Sequence, residues 1–341
     1  LARLVSLFRA PGSDAAATRA GEPGLLRRFV RTAGAAVALL FALGVAALSL
    51  RANQGAPVVD AFYAAPEQLP ATPGALLRSE PMSRAIPAGA QAWRILYTTT
   101  RADQVVANGW VLVATDYIGL GSAGPHAYLV GQQAGRAVLD AVRAARQMPE
   151  LSLAEQSVVW GHSQGGGAAL WTGVLAPSYA PDVNVVGVAA LAPASNLPGL
   201  VSNLDVVPGG AIFGSYVIQG FSDTYPDVRF DDYVRPTAQL LAREMASRCL
   251  AEPAVFSSVL ESLLIEGSLW SQDPAGGAFG ERLQENVPSG PIVAPLLIGQ
   301  GLGDELVLPT MQDAYVQSRC AAGGQVDYRT YAGFDHVGVV G

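Results

Sequence analysis

The stretch VVWGHSQGGGAAL (158–170) crowds glycines around one serine at the point where an apolar run ends. Gly161 and Gly165 frame Ser163 as G-x-S-x-G. This spacing suits a nucleophilic serine at the tip of a sharp strand-to-helix turn, where strained backbone tolerates only small neighbours. The small residues Gly166, Gly167, Ala168 and Ala169 then let the following helix pack closely. The helix N-terminus directs free N–H groups and positive dipole at the serine. The N–H of Gln164 is placed to face an oxyanion there.

A serine needs a base, and the base needs an orienting acid. The chain has three histidines. His162 adjoins the serine and is expected to point elsewhere on the turn. His126, in GPHAYLVG, precedes the serine; a structural role is favoured, with pocket lining as the alternative. For a serine on such an elbow the chain order is Ser, acid, His. His336, in YAGFDHVG, is the histidine that follows Ser163, and it is the expected base. The acid should close the strand before it. PLLIGQGLGDELV (295–307) offers Asp304, with its neighbour Glu305 as fallback. Asp335 adjoins His336 and is poorly placed to turn back onto its ring.

A second motif competes. GLGSAG (119–124) matches G-x-G-x-x-G after a strand-like run. A dinucleotide site would need a helix to open there and an acidic residue about 20 positions on. Pro125 follows instead, so the stretch is expected to be a loop beside the site. No metal-ligand spacing is recognisable. The chemistry inferred for the serine needs no cofactor.

These residues require a scaffold. AWRILYTTT (92–100) predicts a strand, and GWVLVATDY (109–117) predicts another, apolar enough to be buried on both faces. Residues 131–148 carry a helical stripe through Val138, Ala141, Val142 and Ala145. SVVWG (157–161), VNVVGVAALAPA (183–194), PLLIGQ (295–300) and VDYRTYA (326–332) complete the strands. Strands alternating with helices predict a parallel sheet covered on both faces. Residues 196–290 break the rhythm with helical stretches at 236–250 and 255–267, and predict a helical cap inserted between two strands. Residues 51–91, rich in Pro, Ala and Gly, form a non-periodic lead-in.

Of 341 residues, half are apolar and 14% charged, with a net charge of −7. The absence of a basic run beyond residue 31 argues against nucleic acid as a partner. All 21 basic residues are Arg. Arg27, Arg28 and Arg31 precede an uninterrupted apolar run at 32–50, the layout of an export signal or membrane anchor. Leu at position 1 and the unclosed FDHVGVVG end have the look of a fragment. Cys249 and Cys320 could pair in an exported chain, although sequence cannot bring them together.

Taken together, TDYIGLGSAGPHAYLVG (115–131), VVWGHSQGGGAAL, GLGDELV and YAGFDHVG resemble the secretory lipase family of α/β-hydrolases, over roughly residues 58–341. The resemblance implies an α/β-hydrolase fold with a mostly parallel sheet and an inserted helical cap. It implies Ser163 as nucleophile, Asp304 as acid and His336 as base, acting on carboxylic esters of lipids. Its partners would be a lipid ester and a lipid–water interface or membrane surface. The implied organisation is an export segment or anchor at 1–55, core at 56–195 and 291–341, and a cap or lid at 196–290. Family members carry a further strand pair before the VLVATDY strand, and its second strand ends in an H-G-T-T-G-like oxyanion loop. Here TTTRADQVVANGWVLVATDY joins the two flanks directly, so about 40 residues are absent near Gln104–Val105 and the sheet is expected to be incomplete. A cysteine usual in that segment goes with it, which leaves Cys249 without that partner. Two other readings stay open: a short-chain esterase or acyltransferase on the same triad, and a catalytically impaired remnant.

Overall fold

A computed structural model divides the chain into two compact units, Leu1–Gly55 and Ala56–Gly341. The structure describes residues 62, 70, 72, 74–82, 91–97, 101–107, 110–120, 124–149, 151, 153–250 and 253–340, all in the second unit. The apolar run 32–50 lies outside them. Among the described residues no helix is long and apolar enough to cross a membrane.

Two four-stranded sheets form the framework. The first is antiparallel, in the order β1 (Leu76–Pro81), β2 (Gln91–Tyr97), β3 (Arg101–Ala107) and β4 (Trp110–Thr115). The second is parallel, in the order β5 (Gln156–His162), β6 (Asn184–Leu191), β7 (Leu296–Gly301) and β8 (Asp327–Tyr331). Helix α1 (Gly131–Ala145) joins the sheets, α2 (Gln164–Tyr179) follows β5, and α9 (Pro309–Ala321) joins β7 to β8. Parallel neighbours require such crossovers, because a tight turn cannot return the chain to the same end of the sheet.

Three expectations are corrected here. The lead-in contains a strand, β1, recruited by antiparallel pairing with β2. The junction at 98–109 is not a plain link: RADQVVA forms β3, bonded to β2 on one side and β4 on the other. And β4 is not buried on both faces, since Leu112 is 56% exposed. Among the described residues backbone bonding does not pass from β4 to β5, so their strands form two sheets. On β5, Val158 and Trp160 are likewise each 53% exposed.

Helix α1 bridges the break. Ala141 and Ala144 pack with Ile95, Tyr97 and Met148 beneath the first sheet. On another side α1 lies against α2, where Leu139 meets Ala176 and Val183. The parallel sheet has its own core of Val159, Leu170, Val188, Ile298 and Tyr315.

Between β6 and β7 the chain is helical: α3 (Leu197–Asn203), α4 (Gly210–Thr224), α5 (Phe230–Tyr233), α6 (Gln239–Ala246), α7 (Val255–Leu264) and α8 (Gly277–Glu285). A single isolated β-bridge, Val234 with Trp270, occurs among its described residues. Phe221, Phe230, Trp270, Phe279 and Leu283 give the insertion a core of its own, which extends to Val307 after β7. The two cysteines are not joined to one another: both are exposed, and Cys320 is a free thiol on α9.

Candidate active site

Strand β5 ends in a turn that brings α2 back across its own tip. A Cβ on Gly161 would lie 2.0 Å from the backbone oxygen of Gly165, so the turn closes only with glycine there. We predict that Gly161→Ala costs roughly 1–3 kcal/mol of stability, as overpacking does; urea unfolding measures it. Ser163 sits at the tip with φ 56° and ψ −118°, in the left-handed half of the map. Such a conformation costs about 1–3 kcal/mol and must be held by its surroundings. The Ser163 N–H donates to Leu191 O at 3.0 Å, and its carbonyl accepts from Gly167 N and Ala194 N, each at 3.0 Å. The side chain is thereby left free to project from the tip.

The loops after β7 and β8 converge on it. His336 Nε2 is 2.9 Å from Ser163 Oγ, and His336 Nδ1 is 2.8 Å from Asp304 Oδ2. The two loops touch because Gly301 has no side chain: a Cβ there would lie 2.5 Å from Phe334 O. The Gly303 N–H donates to that same carbonyl at 2.8 Å. Asp304 is buried, and its other oxygen accepts from Leu306 N (2.9 Å) and Val307 N (2.8 Å). Burial pushes its pKa up. The hydrogen bond from His336, the charge of that ring and the Val307 and Leu306 amides outweigh burial and hold it below the usual carboxylate range. Glu305 is exposed. Asp335 turns its carboxylate to Val337 N and Gly338 N, away from the histidine ring.

Two residues that sequence reasoning left aside also reach this network. His162 does not point away: its ring lies 4.7 Å from that of His336, and its Nε2–H donates to the His336 carbonyl at 2.6 Å. Gln300, fully buried at the end of β7, donates from Nε2 to Asp304 Oδ2 at 3.1 Å. The hint for Gln300 was a polar residue ending an apolar strand. We predict that Gln300→Leu lowers kcat by up to about tenfold, the worth of the one hydrogen bond that steadies the Asp304 carboxylate. Steady-state rates of the variant check this.

On the other side of the serine, His126 Nδ1–H donates to Ile118 O at 2.9 Å, which leaves Nε2 to accept from the Gln164 side-chain amide at 3.3 Å. Burial lowers the His126 pKa, against the opposing effect of the hydrogen bond to Ile118. Tyr117 stacks on it. Its hydroxyl, pushed up to about 12 by burial, lies 3.9 Å from where a Cβ of Gly165 would sit. In the GLGSAG stretch, residues 118–120 form a turn and 121–123 lie outside the described residues; the next described helix starts at Gly131. The first N–H groups of α2, beginning with Gln164, have no acceptor within the helix and face the serine end. A narrow cleft beside Ser163 is lined by Leu129, Leu200, Phe213, Val217, Leu306 and Val307.

A serine on a strand-to-helix elbow, with acid and histidine loops after the next two strands of a parallel sheet, defines the α/β-hydrolase class. Solved structures share the fold. Candida antarctica lipase A in its closed state superposes with a TM-score of 0.67 at 17% identity, over 82% of each chain. The rice cell wall degrading esterase LipA from Xanthomonas oryzae gives 0.68 at 16% identity, over 79% of this chain and 94% of its own. Within that class the chain belongs to the secretory lipase family, which matches residues 86–339. Among curated relatives, the secreted triacylglycerol lipase LIP7 of Malassezia globosa is 28% identical over 72% of this chain and 52% of its own. Lipase 6 of Candida albicans is 32% identical over 42% of this chain and 32% of its own. The chain thus spans about half or less of the length of these relatives.

Proposed function

We propose that the protein is an exported carboxylic ester hydrolase acting on lipid esters of the triacylglycerol kind. The observation that carries this reading is the hydrogen-bonded series Asp304–His336–Ser163 at the elbow, beside an apolar cleft. His336 Nε2 takes the proton of Ser163 Oγ as the oxygen attacks the ester carbonyl. Asp304 holds the ring through Nδ1–H and stabilises the imidazolium. The Gln164 N–H and the positive end of α2 face the oxyanion. The imidazolium then protonates the departing alcohol, leaving an acyl-serine. Water deprotonated by His336 releases the fatty acid. Family membership supports the substrate class and export, and the helical insertion at 196–290 stands as lid over the acyl cleft.

A fluorophosphonate probe tests this: a working pair is labelled at Ser163, and labelling that ignores Ser163→Ala would sink it. Rates against acyl-chain length, with and without an acceptor alcohol, separate a lipase from a short-chain esterase or an acyltransferase. One observation favours a slow enzyme as the second reading. The H-G-T-T-G-like loop has no counterpart in this sequence, and among the described residues no backbone pairing joins β4 to β5. Loss of one oxyanion donor costs about 10²–10³ in kcat.

A further inference from the structure

Helix α7 is inside out. Its sequence, VFSSVLESLL, spaces Phe256, Val259, Leu260, Leu263 and Leu264 at i, i+3, i+4, i+7 and i+8, the stripe a helix ordinarily turns into a core. Here all five are exposed, Phe256 by 72% and Leu263 by 76%. The buried residue of the helix is Ser258. The polar face is held inward by Arg248, itself only 7% exposed. Its guanidinium donates to Glu261 at 2.6 Å, to Glu244 at 2.9 Å and to Ser258 Oγ at 3.4 Å. An ion pair taken out of water is a poor source of stability. What this one fixes is orientation: it turns the one charge of α7 away from solvent and the apolar stripe toward it.

We propose that this stripe docks on an uncharged lipid surface, which names the face used by the lipid-ester reading on which the proposal rests. Two observations select this occupant over a protein. A ten-residue helix is about 15 Å long and 10–12 Å across, so its face offers a few hundred Å² at most. A stable protein interface needs about 800 Å² per partner, whereas aliphatic side chains enter a lipid surface individually and need no matching groove. The stripe carries no charge, and the chain has a net charge of −7, which disfavours an anionic surface. The stripe is also linked to the cleft. Tyr216 of α4 donates to the Arg248 carbonyl at 2.8 Å, and Phe213 and Val217 of the same helix line the wall beside Ser163.

The test uses the full chain carrying Ser163→Ala, so that turnover plays no part. Leu263→Cys is added in a Cys249→Ser, Cys320→Ser background and labelled with an environment-sensitive nitrobenzoxadiazole group. The same label on Thr310→Cys, at an exposed position of α9, is the control. With phosphatidylcholine vesicles, the label at 263 should brighten several-fold and shift to the blue while that at 310 stays aqueous. Three results overturn the proposal. They are an aqueous label at 263 on vesicles that carry the protein, brightening only with phosphatidylglycerol, and brightening without lipid that rises with protein concentration, which marks a second copy. Insertion at 263 in a protein whose Ser163 form hydrolyses no ester would leave the docking face standing and remove the lipase reading instead.

Discussion

Ser163→Ala should lower ester hydrolysis by roughly 10⁴–10⁶ in kcat. The reason is particular to the elbow. His336 and Asp304 remain hydrogen-bonded in the variant, yet the proton that Nε2 removes has gone with Oγ. The substitution itself is mild for the fold, because the strained backbone at residue 163 is held by main-chain bonds to Leu191, Gly167 and Ala194. Thermal unfolding should therefore stay close to that of the unaltered chain while activity falls. Paired measurements of rate and melting temperature separate the two effects. Equal rates in the two proteins would place the hydrolysis elsewhere.

Asp304→Asn should lower kcat by about 10⁴ with little change in KM. The amide presents N–H where His336 Nδ1–H must donate, or an uncharged oxygen that cannot stabilise the imidazolium. Stability should respond as well, with a defined sign. Asp304 lies below the usual carboxylate range in the folded chain, so its ionised form favours folding. That contribution is complete above the unfolded value of about 3.9 and fades as pH falls through the lower folded value. The variant should thus be less stable than the parent at neutral pH, and the gap should narrow toward pH 3. Urea midpoints measured across that interval decide it; a gap constant with pH would mean that the carboxylate contributes nothing in its charged form.

Much of the parallel half of the fold was legible because its strands are short apolar runs bounded by glycine, as at 157–161 and 295–300. The candidate site residues stood out through scarcity: three histidines, and one serine among glycines. What escaped depends on partners distant in sequence. Three of the seven residues of RADQVVA are polar, and it becomes β3 through strands on both its sides. The VFSSVLESLL pattern gives an amphipathic helix but not which way it faces; Arg248 decides that from outside the helix. His162 looked idle beside Ser163, because the carbonyl it meets belongs to a loop 174 residues away.

The interruption of the sheet has a consequence for behaviour in solution. Strands β4 and β5 end their respective sheets among the described residues, and each exposes apolar side chains. A bare strand edge is a template: its amide and carbonyl rows accept any extended segment of suitable pattern. Two such edges on one chain invite copies to add to one another as concentration rises. By the same token, they offer a seat where an extended peptide supplied in trans could knit the halves into one continuous surface.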